Sequence, residues 1–158
     1  MRDLMEPNRI APPETRLGFL VYRAGIAVAE AYEQVMKPLG FRPAEVGLLT
    51  HLATHGADHV RGVARVIGVS PQTVVNLTKD LERRGLVTRA PSPADERVVV
   101  IALTAEGQML LSEADAAARR FDERISALIG DLGPEVAAGL TRILNADRLA
   151  DPDQRSGT

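Results

Sequence analysis

Five side chains between residues 72 and 83, namely Gln72, Thr73, Asn76, Lys79 and Arg83, fall on one face of a single helical repeat. They offer amide, hydroxyl and cationic groups, the kinds that read base edges and hold phosphates in duplex DNA. A second group, His51, His55 and His59, is spaced four apart. On one continuous helix the first two would face a common metal ion. The chain has no cysteine, however, and Gly56 interrupts the histidine run, ending a helix that starts near Pro43. His59 therefore belongs to the start of the next helix, with Asp58 as its N-cap. The histidines read as solvated or locally hydrogen-bonded, with no metal set and no cofactor. Nucleophilic catalysis has less support still, because no strand-elbow-helix setting presents a serine and no glycine-rich phosphate loop occurs.

The face formed by Gln72, Thr73 and Asn76 needs a helix with fixed ends, and the sequence supplies both. Ser70 is a good N-cap, Pro71 suits the first helical position, and Val69 can staple onto Val74. At the far end Gly85 can adopt the left-handed stop, with Leu86 folding back on Leu81. Val74, Leu77 and Leu81 form the buried stripe between them. Upstream, Val60, Val63, Ala64 and Ile67 repeat at helical spacing and end at Gly68. Two short helices joined by Gly-Val-Ser read as a helix-turn-helix. In such a motif Gln72, Thr73 and Asn76 meet bases while Lys79 and Arg83 lie nearer the backbone, and Ser70 sits at the leading end. An ordinary helical hairpin with a solvated face fits this segment alone equally well.

The following residues favour DNA. Leu86 to Arg89 and Val98 to Leu103 are β-branched runs, separated by a charged, proline-containing turn from Ala90 to Arg97. This predicts a two-stranded hairpin with a projecting tip, a wing, on which Arg97 can enter a minor groove or clamp a phosphate. Asp95 can orient that guanidinium through a bidentate pair. Arg89, on the first strand, joins the candidate DNA contacts.

The order Leu81-Glu82-x-Arg84-Gly85-Leu86-Val87, then Asp95-x-Arg97, then Leu103-Thr104-x-x-Gly107 resembles that of the bacterial MarR-type winged-helix regulators, named for multiple antibiotic resistance. The likeness extends more weakly over residues 15 to 149. Ala90 and Glu96 stand where that family often carries basic residues, and Asn76 where it often carries Arg or Ser. The resemblance implies a mainly α protein, a winged helix-turn-helix over about 42–104, with dimerisation helices over about 15–38 and 105–149. It also implies a homodimer on a pseudo-palindromic operator, acting as a repressor relieved by a small aromatic or amphipathic effector. Tyr22, Arg23 and His51 are candidate pocket residues, being polar or aromatic groups on helices near the implied junction. One branch of that family senses oxidants through a cysteine, which this chain lacks.

Periodicity agrees with long packing helices. Leu111, Ala114, Ala118, Phe121, Ile125 and Leu128 are spaced 3, 4, 3, 4, 3, the repeat of a helix lying along a partner. Leu17, Val21, Ala24, Val28, Ala31 and Val35 form another seam, and Val136, Ala137, Leu140, Ile143 and Leu144 a third. Intramolecular bundle contacts would produce the same stripes.

Net charge is −2 for 158 residues, which is unusual for a DNA binder until its distribution is considered. Residues 60–97 carry seven basic and four acidic side chains, a local +3 against −5 for the rest. A basic lobe on an acidic body binds nucleic acid while limiting indiscriminate association. No stretch is long and apolar enough to span a membrane, and no signal-peptide core is evident, so a cytoplasmic protein is expected. Residues 1–14 and 150–158 read as flexible tails. Two alternatives stay open: a helical metal-binding protein or enzyme using His51 and His55, and a winged-helix module for protein interaction.

Overall fold

The computed structural model describes residues 11–146. The expected tails fall outside this range except for residues 11–14, and Pro13–Thr15 form a 3-10 turn. The elements are α1 (Leu17–Met36), α2 (Pro43–His55), β1 (Asp58–His59), α3 (Val60–Ile67), α4 (Pro71–Arg83), β2 (Val87–Pro91), β3 (Val99–Leu103), α5 (Ala105–Ile129) and α6 (Gly133–Leu144). The chain divides into two units, residues 1–118 and 119–158, with α5 running through the division.

In the first unit the apolar stripes of α2, α3 and α4 meet around Leu48, Leu49, Val63, Val74 and Leu81, all fully buried. Leu86, Val87 and Ile101 close this core from the sheet side. The sheet has three antiparallel strands in the order β1-β3-β2, where the sequence predicts two. Asp58 pairs with Ile101 and His59 with Val100. A two-residue strand is too short to show alternation, so its sequence carries no strand signal. The wing register is Val87 opposite Leu103 through Pro91 opposite Val99.

The 3-4 stripe of α5 does not act as one surface. Leu111 and Ala114 belong to the core of the first unit, so this half of the seam is intramolecular. In the second unit Phe121 is buried, and the Arg124 guanidinium lies 5.8 Å from its ring centre. Leu128 is 84% exposed. On α1, Leu17, Leu20 and Val28 are exposed whereas Val35 packs on the core. On α6, Leu140 and Leu144 are exposed. Among the described residues no helix is long and apolar enough to cross a membrane.

Candidate nucleic-acid interface

The turn between α3 and α4 is built from local signals. Gly68 takes φ 70° and ψ 31° at the end of α3, a left-handed conformation that side chains with a Cβ resist. It directs Val69 back so that its N–H donates to the Ala64 carbonyl (3.2 Å). Ser70 then caps α4, its Oγ accepting from the Thr73 N–H at 3.0 Å. At the far end Gly85 has φ 72° and the Leu86 N–H donates to the Leu81 carbonyl (2.9 Å), the predicted stop.

Gln72, Thr73, Asn76, Lys79 and Arg83 all lie exposed on α4. Gln72 Nε2 donates to Asn76 Oδ1 (3.3 Å), so the two amides stand as a pair one turn apart. The Ser70 and Thr73 hydroxyls also share a 2.8 Å bond, so Ser70 has local bonds, its cap among them, alongside any contact with DNA. Arg83 is tightly paired with Asp80.

The wing departs from the sequence expectation at two residues. Asp95 accepts from the backbone N–H of Arg97 (3.0 Å), and its own carbonyl accepts from the Val98 N–H (2.9 Å). It shapes the tip and leaves the Arg97 guanidinium free of an acidic partner among the described residues. A carboxylate two residues back closes an Asx turn more readily than it reaches a long side chain pointing away. Arg89 is half-buried and points to Glu82 (3.3 Å), so α4 holds it back from the wing surface.

Sequence reasoning misses Arg61. It lines a cleft of about 530 Å³ together with His59, Pro71, Val75, Arg97 and Val99, so two cations from α3 and the wing flank the leading end of α4. Its signal is the exposed i, i+4 pair Arg61 and Arg65 on the face of α3 opposite Val63 and Ala64.

The histidines are locally hydrogen-bonded, as expected, and only the role expected of Asp58 changes. His51 and His55 do share a face, with rings stacked at 4.8 Å. His51 is buried and its Nε2 lies 2.8 Å from Asp58 Oδ2. His59 Nδ1 and the His59 N–H both bond Asp58 Oδ1 at 2.7 Å. Asp58 therefore ties α2 to the start of α3, and the N-cap position falls to His59. Burial alone would raise the Asp58 pKa, yet the bonds from His51, the His59 amide and the His59 ring hold it below the ordinary carboxylate range. Gly62 makes room for it, since a Cβ there would collide with the Asp58 carboxylate. No group of three or more His, Cys, Asp or Glu side chains among the described residues could hold a metal ion.

The predicted pocket residues lie on two helices. Tyr22 and Arg23 are exposed on α1 and His51 is buried on α2. The Nδ1 atom of His51 is buried without a hydrogen-bond partner among the described residues.

This arrangement of capped helix and wing has known relatives. The MarR family profile matches residues 39–98, from the turn after α1 to the end of the wing loop. The HTH-type transcriptional repressor Rv2887 of Mycobacterium tuberculosis is 32% identical over 111 residues, covering 70% of this chain and 80% of that protein. The chain belongs to the MarR family. It is a winged-helix, DNA-binding transcriptional regulator. The repressor MdtR of Bacillus subtilis is 28% identical over 120 residues, 76% of each chain. Among solved structures, CouR from Rhodococcus jostii RHA1 bound to p-coumaroyl-CoA superposes with a TM-score of 0.78 at 29% identity, covering 89% of this MarR-family chain and all of that one. CouR bound to a 23-mer DNA duplex gives 0.72 at 26% identity, covering 88% and 96%.

Proposed function

We propose that this MarR-family protein is a homodimeric repressor of a pseudo-palindromic operator, released by a small aromatic or amphipathic effector. The observation that carries the reading is the capped helix α4, whose Gln72, Thr73 and Asn76 stand exposed, while Arg97, with no acidic partner among the described residues, lines a cleft with Pro71 and Val75 of the same helix. Groove contacts from the first three specify sequence, while Arg97, Lys79 and Arg83 anchor to phosphates. Arg89 reaches DNA only by leaving Glu82. The exposed apolar side chains Leu17, Leu20, Leu128, Leu140 and Leu144 support a partner subunit covering α1, the end of α5, and α6. On this reading residues 15–149 work as one MarR-like domain, and no catalytic step is involved.

Effector relief is supported by the CouR relative bound to p-coumaroyl-CoA. Tyr22, Arg23 and His51 are the residues assigned to the effector, and the unpartnered Nδ1 of His51 supports its place among them. A ligand that prefers one spacing of the two recognition helices shifts the population away from the DNA-binding form. The protein works in the cytoplasm, where operator and effector meet.

A mobility-shift titration on the duplex upstream of its own gene, against a scrambled duplex, tests the docking. Gln72→Ala and Asn76→Ala alter sequence preference by about 1–3 kcal/mol. Arg97→Ala weakens binding to both duplexes. Three variants indistinguishable from the parent on both duplexes would refute it.

A further inference from the structure

A second cleft, of about 580 Å³, lies on the other flank of α4, and Lys37, Arg42, Asn76, Asp80 and Arg83 are among its lining residues. Asn76 places it against the reading face. Asp80 follows Asn76 by one turn and would repel a phosphate if left bare. Instead it is shared by two guanidinium groups, Arg83 beside it and Arg42 at 3.4 Å.

The arginines of this cluster are held in different ways. Arg84 is fully engaged: Nη1 reaches buried Glu45 (3.4 Å), Nη2 donates to the Gly40 carbonyl (3.1 Å), and the guanidinium lies 5.0 Å from the Phe41 ring centre. Arg42 is anchored only at its root and at one nitrogen. Its backbone N–H donates to Glu45 Oε2 and its Nη2 to Glu45 Oε1, both at 2.8 Å. The same Nη2 makes the long contact with Asp80. Nη1 and Nε have no partner among the described residues, and the side chain is 60% exposed. A long, solvent-exposed ion pair is worth little, so exchanging Asp80 for a stronger anion costs little. A guanidinium edge with free donors matches a phosphodiester in shape and charge.

We infer that Arg42 is a DNA backbone contact, gripping a phosphate beside the groove that α4 enters, with Asp80 as its counter-charge in the free protein. This rests on the docking of α4 proposed above. The contact comes from the start of α2, outside both the recognition helix and the wing. It carries no sequence information, and its role is to fix the angle of α4 on the duplex.

The test is the salt dependence of binding to the promoter and scrambled duplexes. Removing one phosphate contact lowers the slope of log K against log salt by about 0.9. R42Q lowers it by about that much per protomer on both duplexes without changing their ratio, whereas R42K, which keeps a cation for Glu45, retains most of it. D80N tightens binding, because it frees Arg42 and removes a negative charge from the face. R97Q supplies the separate readout of docking. If R97Q lowers the slope but R42Q leaves it unchanged, or D80N fails to tighten binding, the assignment of Arg42 is overturned and the docking stands. If neither arginine variant changes the slope, docking and inference fail together.

Discussion

Replacing Gly107 with alanine probes the closest backbone approach in the winged helix. A Cβ at this position would overlap the Leu86 carbonyl oxygen and lie 3.0 Å from the Leu86 carbonyl carbon and 2.8 Å from Leu103 Cδ1. The Leu103 methyl ends a flexible side chain and can turn aside, but the Leu86 backbone does not yield easily. The Leu86 carbonyl accepts from the Thr104 N–H at 3.1 Å, and the Leu86 N–H is held by Leu81 at 2.9 Å. The Thr104 hydroxyl donates to the Gly85 carbonyl (2.7 Å) and accepts from the Gly107 N–H (3.0 Å). One methyl group therefore forces the start of α5 away from the base of the wing. Overpacking of this kind costs about 2–3 kcal/mol, and breaking a backbone hydrogen bond adds about 1 kcal/mol. Alanine recovers about 1 kcal/mol through helix propensity, leaving a net destabilisation of about 2–3 kcal/mol. For a domain of this size each kcal/mol lowers Tm by about 2–4 °C, so the melting temperature falls by roughly 5–10 °C. Circular dichroism melts at matched protomer concentration measure it, since the proposed dimerisation would make Tm concentration-dependent. An unchanged Tm would show that the wing base is looser than these distances require.

Two further predictions address the proposed dimer and the histidine cluster. Leu128→Glu and Leu144→Glu, each at a site 84% exposed in the protomer, leave the protomer folded but shift the dimer toward monomer in sedimentation, whereas Phe121→Glu, at a buried site, unfolds it; stable dimers of the first two would sink the proposed interface. The pKa of Asp58 is lowered on folding, so its contribution to stability is complete above the unfolded carboxylate pKa, about 4, and is lost as pH falls through the folded value. Asp58→Asn should accordingly flatten the acid limb of a Tm-against-pH curve, and parallel curves for parent and variant would contradict this.

The helix-turn-helix is legible in the sequence because its determinants are local. Ser70, Gly68 and Gly85 act within a few residues of themselves, and the stripe of Val74, Leu77 and Leu81 needs only helical spacing to appear. What fails to show lies in choices between partners. Arg89 has several acids within reach in sequence, and only the fold selects Glu82. Asp95 has both a backbone and a side-chain donor on Arg97, and the shorter path prevails. The 3-4 stripe of α5 announces a buried side without saying what buries it: Leu111 and Ala114 join the protomer core, while Leu128 remains exposed. Arg42 and Asp80 are 38 residues apart, beyond the range of any local pattern.

These partner choices shape the electrostatics of the proposed DNA face. Of its cations, Arg83 is neutralised by Asp80 and Arg89 by Glu82, whereas Lys79, Arg61 and Arg97 pair with no acidic side chain among the described residues. The +3 of residues 60–97 is thus concentrated on a few free cations, with Arg83 and Arg89 held in reserve by partly exposed pairs. Such pairs break at little cost when a phosphate is correctly placed and screen the face when it is not. A chain with net charge −2 would then bind arbitrary duplex weakly. Its full set of phosphate contacts would form only on a site where Gln72 and Asn76 also find their bases, coupling anchorage to recognition.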